Sequence, residues 1–392
     1  MSLANAIDPI LRRAAESGDV PGVVAMAANE SGVIYEGGFG KRDLAKPDAM
    51  TPDTVVWLAS MTKAVTGAAA MQLVERGKVR LEHNAADLVP ELANPQVLEG
   101  MDGDTPKLRP AKKPITVHHL ITHTAGFGYD IWSPLLGQYM QATGTPGIIS
   151  CSNAALRLPL LFDPGERWNY GINIDWLGKI VEAVHGKKLD RVLAEEIFEP
   201  LGMTDIGFKI GPAQRGRLAN IHQRGDDGGL TPTGLELEQN PEFHMGGGGL
   251  YGTAADYLAF ARMLMAGGAL NGRRVLKSDT VALMAKNGIG DLSPTVLKTA
   301  APPLSLDADF FPGLPAKWGL SFYINAAPAP TGRSAQSLAW AGLANTYYWI
   351  DPVRQLTGVI LMQILPFFDT KAIKLFRDFE TAVYGATAAK AA

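Results

Sequence analysis

The stretch WLASMTKAVT, residues 57–66, places a serine and a lysine three positions apart, Ser60 and Lys63, among apolar and small residues. A serine hydroxyl needs a base within hydrogen-bond reach to act as a nucleophile near neutral pH. Residues three apart on a helix share a face, so Lys63 can touch Ser60. A solvated lysine, with a pKa near ~10.4, is protonated and cannot take the serine proton. Burial changes this, because desolvation disfavours the charged form, and Trp57, Leu58, Ala59, Met61, Ala64 and Val65 surround the pair. The continuation to Gly77, rich in alanine and methionine, predicts a helix with Ser60 at or near its start. Backbone N–H groups of a first helical turn lack intrahelical partners, so the Ser60 amide can point at a developing oxyanion. A capped helix start followed by a solvated lysine gives the same pattern in isolation. The rest of the chain decides between them.

The bulk composition narrows the class. A chain of 392 residues, 46% hydrophobic and 19% charged, has the balance of a globular enzyme. Its net charge of −3 and the lack of a clustered lysine and arginine run leave no footprint for nucleic acid. The first residues, MSLANAIDPILRRAAESGD, lack the apolar core of a signal peptide, and no stretch approaches the ~20 apolar residues of a membrane span. The expectation is a cytoplasmic protein with no nucleic-acid or membrane partner; oligomeric state is left open. The single cysteine, Cys151, excludes an internal disulfide and a multi-cysteine zinc site, and reads as a free, half-buried thiol.

Along the chain, residues 4–17 read as an opening helix. GVVAMAANESGVIYEGGFGKRD (22–43) then gives two β-type runs split by a turn at Asn29-Glu30-Ser31-Gly32. From 81 to 234 helical segments such as TVHHLITHT and IDWLGKIVEAVHG alternate with Pro/Gly-rich connections, which predicts a mostly helical inserted region. TAADYLAFARMLMAG (253–267) predicts a helix with Thr253 and Asp256 as a capping box. The β-type runs WGLSFYINAA, TYYWIDP and TGVILMQIL follow, then an amphipathic closing helix from Thr370. Strands at both ends with helices between them predict an α/β (α+β) unit, residues 1–80 with 235–392, and an inserted helical unit, 81–234. A crevice between such units is a usual small-molecule site.

With these segments in order, the sequence resembles the serine β-lactamase-like superfamily of penicillin-binding proteins, class C β-lactamases and family VIII carboxylesterases. Besides SMTK, LITHTAGFGYD (120–130) is similar to the family's "LLTHTSG" segment, and DPGERWNYGINIDWLGKIVEAVHG (163–186) to its "PG…W.YSN…..LG" segment. GGGGLYGTAADYLAFARML and AWAGLANTYYWIDP complete a series spread over nearly the whole chain. The resemblance implies a β-lactamase-like fold, an antiparallel sheet flanked by helices. It also implies that Tyr170, at the family's tyrosine motif, relays the proton of Ser60 to the leaving group as phenol or phenolate with Lys63.

Two departures bear on substrate. Ile172 stands where the lactamases and peptidases have asparagine, and Trp340-Ala341-Gly342 stands for their Lys-Thr-Gly. Both changes remove polar groups that hold a β-lactam, and a site built on such bonds loses much without them. Tryptophan in the third motif is what family VIII esterases carry. The resemblance therefore implies a carboxylesterase acting through an acyl-enzyme on Ser60, with small, short-chain or aryl esters as substrates and neither metal nor cofactor. The amides of Ser60 and Leu343 would hold the oxyanion, and Trp340, Gly342 and Tyr129 would line the substrate site. Weak β-lactamase or D-alanyl peptidase activity, or acyl transfer to an alcohol, would use the same acyl-enzyme. A non-catalytic penicillin-recognising protein is the reading from another class, and intact Ser60, Lys63 and Tyr170 argue against it.

Other features have plainer readings. His118, His119 and His123 lack the spacing of an H-E-x-x-H zinc helix, and His123 is expected to order the turn before Gly126. The run Gly246–Gly249 lacks the Gly-Lys-Ser/Thr ending of a P-loop, which leaves a tight turn with close backbone approach beneath the site. No serine sits in the Gly-x-Ser-x-Gly elbow of α/β-hydrolases.

Overall fold

The computed structural model describes residues 2–391. Its centre is a seven-stranded sheet whose strands come from both ends of the chain: β1 (Gly22–Asn29), β2 (Gly32–Gly40), β3 (Ala316–Trp318), β4 (Tyr323–Asn325), β5 (Ser337–Gly342), β6 (Thr346–Asp351) and β7 (Leu356–Leu361). They lie in the order β3-β4-β5-β6-β7-β1-β2, every neighbour antiparallel. The β1–β2 hairpin turns where the Asn29 side-chain oxygen accepts from the amides of Ser31 and Gly32, the turn expected there. On its other edge β1 pairs with β7, from Val24 opposite Leu361 to Asn29 opposite Leu356.

Strands β5, β6 and β7 are buried along their whole length, so both faces need a cover. Side chains alternate between faces along a strand. On β6, Tyr347 and Trp349 meet Phe376 and Phe379, whereas Tyr348 between them meets Tyr257. The closing helix, Thr370–Ala391, therefore covers one face and the helix Ala254–Met265 the other. The opening helix α1 (Leu3–Glu16) buries Leu3, Ile7, Leu11 and Ala14, one stripe at helical spacing, and packs beside the closing helix.

Helix α2 (Thr62–Glu75) is buried on all sides from Thr62 to Leu73. α2 sits in the core and packs there against α3 (Asn173–His185). Among the described residues no helix is long and apolar enough to cross a membrane.

Three expectations need correction. WGLSFYINAA is not one strand but the β3–β4 hairpin, turned at Gly319–Phe322 with Ser321 at φ +77. Within 81–234 a hairpin, Gln96–Asp102 with Thr105–Pro110, joins the helices; its second strand is mostly exposed and lacks the apolar alternation that marks a strand in a sequence. The Thr253 hydroxyl does cap Asp256, but the Asp256 carboxylate accepts from the Asp205 amide at 2.7 Å rather than returning to Thr253.

Candidate active site

Ser60 stands on a strand-to-helix corner. Val56–Trp57 pairs with Tyr251–Gly252, and the chain then turns at Ala59 with φ +48. Positive φ is uncommon for a residue with a Cβ. One 3-10 turn, Ala59–Met61, carries Ser60 into α2. The Thr62 hydroxyl fixes the corner, donating to the Ala59 carbonyl at 2.6 Å and accepting from the Leu250 amide at 3.1 Å.

The end of β5 is pressed against this corner. A Cβ on Gly342 would stand 2.2 Å from the Leu58 carbonyl oxygen, so only glycine permits the approach. The Thr346 hydroxyl donates to that same oxygen at 3.2 Å. Leu343 thereby reaches the cavity on which Ser60 opens, about 160 Å³, with Tyr129, Trp132, Ile148 and Leu304 among its walls.

Lys63 is wholly buried in the first turn of α2, three residues on from Ser60. Its Nζ stands 3.1 Å from Ser60 Oγ, 3.1 Å from the Tyr129 hydroxyl and 2.6 Å from the Gly247 carbonyl oxygen. Burial pushes the lysine down to about 7, against an opposing pull from the charge of Asp175. A neutral amine has two hydrogens and one lone pair. Gly247 and Tyr129 can take the two hydrogens, which leaves the lone pair for the Ser60 proton.

Tyr170 lies over the same nitrogen, its ring centroid 4.6 Å from Nζ. The Trp340 indole N–H donates to the Tyr170 hydroxyl at 2.9 Å. Burial raises Tyr170 far above the ordinary phenol range, although the neighbouring Ser60 side chain and Trp340 indole oppose it, so the resting group is a phenol. Trp340 itself faces a neighbouring cavity of about 220 Å³ with Phe310 and Tyr323 and does not line the one at Ser60. It holds Tyr170 from behind. His123, at φ +58, lies tilted against the Tyr170 ring at 4.9 Å, with Nδ1 2.9 Å from the Asn173 side-chain nitrogen.

The glycine run makes the close approach expected of it. Asp175 on α3 accepts from the Gly247 amide at 2.8 Å, and a Cβ on Gly247 would fall 2.4 Å from the second carboxylate oxygen. Burial raises the Asp175 carboxyl, with the Lys63 charge pulling the other way. Cys151 is buried rather than half-buried, its thiol pushed up to about 12 chiefly by burial.

A family model described as Beta-lactamase matches residues 7–381. The chain belongs to the beta-lactamase family. It is 32% identical over 414 residues to monacolin J acid methylbutanoyltransferase of Aspergillus terreus, with 97% of each chain covered. It is 30% identical over 402 residues to lovastatin esterase of Penicillium rubens, covering 96% of this chain and 98% of the relative. Among solved structures, unliganded simvastatin synthase (LovD) from Aspergillus terreus superposes with a TM-score of 0.83 at 30% identity, with 98% of both chains covered. The fold is thus the beta-lactamase fold, and the chain falls among its serine hydrolases and acyltransferases.

In this member of the beta-lactamase family, Ser60, Lys63, Tyr129 and Tyr170 come together, and Leu343 joins them through Gly342. The sequence reading missed Asp175 and Trp132. Asp175 carried a usable signal, an acid within the apolar run Ile172–Leu177 of a buried helix. Trp132, whose ring lies 5.4 Å from Tyr170, carried none.

Proposed function

We propose that the protein hydrolyses small carboxylic esters through an acyl-enzyme on Ser60. The observation that carries this reading is the 3.1 Å approach of Lys63, buried and spoken for by two other partners, to the Ser60 hydroxyl. Ser60 attacks the ester carbonyl as its proton passes to Lys63. The amides of Ser60 and Leu343 hold the oxyanion. Tyr170 gives its proton to the departing alkoxide and recovers one from Lys63; water then attacks the acyl-enzyme, its proton taken by Tyr170 as the phenol proton passes on to the neutral Lys63. Ile131, Trp132, Ile148, Ile149, Leu304 and Leu343 give the cavity an apolar wall, which suits an uncharged acyl group better than the carboxylate of a penicillin. Ile172 lies buried in the core and offers no polar contact. The crevice falls between the two units proposed for the chain, 1–80 with 235–392 and 81–234, and a small-molecule ester is its partner.

Transfer of the acyl group to an alcohol is the second reading, favoured by the likeness to a methylbutanoyltransferase. One experiment separates the outcomes: turnover of p-nitrophenyl butyrate with and without added alcohol, beside nitrocefin. The ester is expected to be cleaved, with the butyryl group found on the Ser60 peptide by mass, and Ser60→Ala to be inactive yet folded. Nitrocefin turned over as efficiently as the ester would refute the substrate assignment.

A further inference from the structure

The reading above leaves Asp175 without a task, although it is fully buried one peptide away from Lys63. A buried carboxylate is costly unless something balances it. One of its oxygens accepts from the Gly247 amide at 2.8 Å; the other has no hydrogen-bond partner. The same Gly247 residue presents its carbonyl to Lys63 Nζ at 2.6 Å. Gly247 thus bridges the acid and the amine, and its missing side chain is the space that the carboxylate fills.

The geometry points to Asp175 as a positioning residue of the reaction: through the Gly247 residue it aims the Lys63 amine at Ser60, and it supplies the counter-charge for the ammonium that forms when Ser60 gives up its proton. This rests on Ser60 as nucleophile and Lys63 as its base, and it extends that pair to the nucleophile, base and orienting-acid logic of other serine hydrolases.

The surroundings support this balance. The groups that feel the Asp175 charge are Lys63 from α2, Tyr129 and Tyr170 from the loops before α3, and Cys151. His123 faces Lys63 and is driven well down, mainly by burial. The two tyrosines and the cysteine are held neutral by burial above all. Lys63 is therefore the one cation among these groups able to answer the carboxylate.

Asp175→Asn tests it, because the amide keeps the shape and the oxygen that accepts from Gly247 and loses the charge. Folding is checked by near-UV circular dichroism, and Ser60 by labelling with a phosphonate ester. The folded variant is expected to label still. Its acid limb in kcat/KM for p-nitrophenyl butyrate should move down by about one pH unit, since the lysine ammonium has lost its neighbouring anion. Its plateau kcat should fall roughly tenfold, the worth of one such unit. An acid limb in the wild-type position, in a variant that folds and labels, would overturn the proposal. Failure of Ser60 to label in the wild type would instead overturn the reading beneath it. If Asp175→Asn does not fold, Asp175→Ser takes its place with the same expectations. If neither folds, lysine 13C-labelled native protein carries the test. The resonance displaced on phosphonylation of Ser60 must titrate in two steps, as a coupled pair does; a single step would sink the proposal.

Discussion

Lys63 Nζ is closer to the Gly247 carbonyl oxygen, at 2.6 Å, than to Ser60 Oγ, at 3.1 Å. The amine is anchored by a backbone oxygen that never changes protonation, and it turns its remaining capacity towards the serine. Arginine at this position keeps a charge and could still donate to Gly247, but it cannot be deprotonated. Lys63→Arg and Lys63→Ala are both expected to lose about 10²–10⁴-fold in kcat on p-nitrophenyl butyrate, the range of a general base. An arginine variant with near wild-type turnover would show that the lysine is only an anchor.

The pH profile follows from the direction of the lysine shift. Burial lowers Lys63 to about 7, and the base must be neutral to act. Below that value the ammonium dominates, so kcat/KM should rise as pH climbs through about 7 and level off above it. Tyr170 is shifted upward and does not ionise in the ordinary working range, so no descending limb is expected from it. A steady-state profile across neutral pH checks both statements.

Trp340 can be tested apart from its bulk. Trp340→Phe keeps an aromatic ring against Tyr170, 4.9 Å away, and removes the indole donor at 2.9 Å. One hydrogen bond is worth about 1 kcal/mol net, so kcat should fall several-fold to about tenfold with little change in KM. A change confined to KM would place Trp340 in the substrate pocket after all.

Gly342→Ala forces a methyl into the Leu58 carbonyl oxygen, 2.2 Å from the ideal Cβ. Overpacking of this kind costs about 1–3 kcal/mol, and the strain falls on the corner that carries Ser60. Chemical denaturation should show the loss, and activity should drop further than stability because Leu343 moves away from the serine. Full activity in this variant would contradict the placement of Leu343 at the oxyanion.

Much of this was legible in the residues. The spacing of Ser60 and Lys63, the apolar neighbours and the ordered segments behind them point to one buried pair, and the hairpin, the central helix and the closing helix lie where their patterns put them. What escaped depends on contacts between distant segments. Trp340 reads as a pocket wall because its sequence position gives no hint of the Tyr170 hydroxyl behind it. Tyr129 reads as a substrate contact and does line the cavity, but nothing in its position foretells that its hydroxyl also meets Lys63 at 3.1 Å. Asp175 shows in the sequence as an acid among apolar neighbours, but its partner is a glycine amide that only the folded chain delivers.

The pairing of β1 with β7 carries one more consequence. Val24 and Leu361 are neighbours across that ladder, and the corner bearing Ser60 is closed by Gly342 and Thr346 from strands made long after it. A nascent chain holds its serine and lysine well before it holds Leu343, the amide proposed as the second oxyanion donor. Long-range pairing of this sort is slow to form. On the proposed mechanism the Ser60 hydroxyl therefore stays silent until β5 and the residue after it have been made, and the assembled sheet is what switches it on.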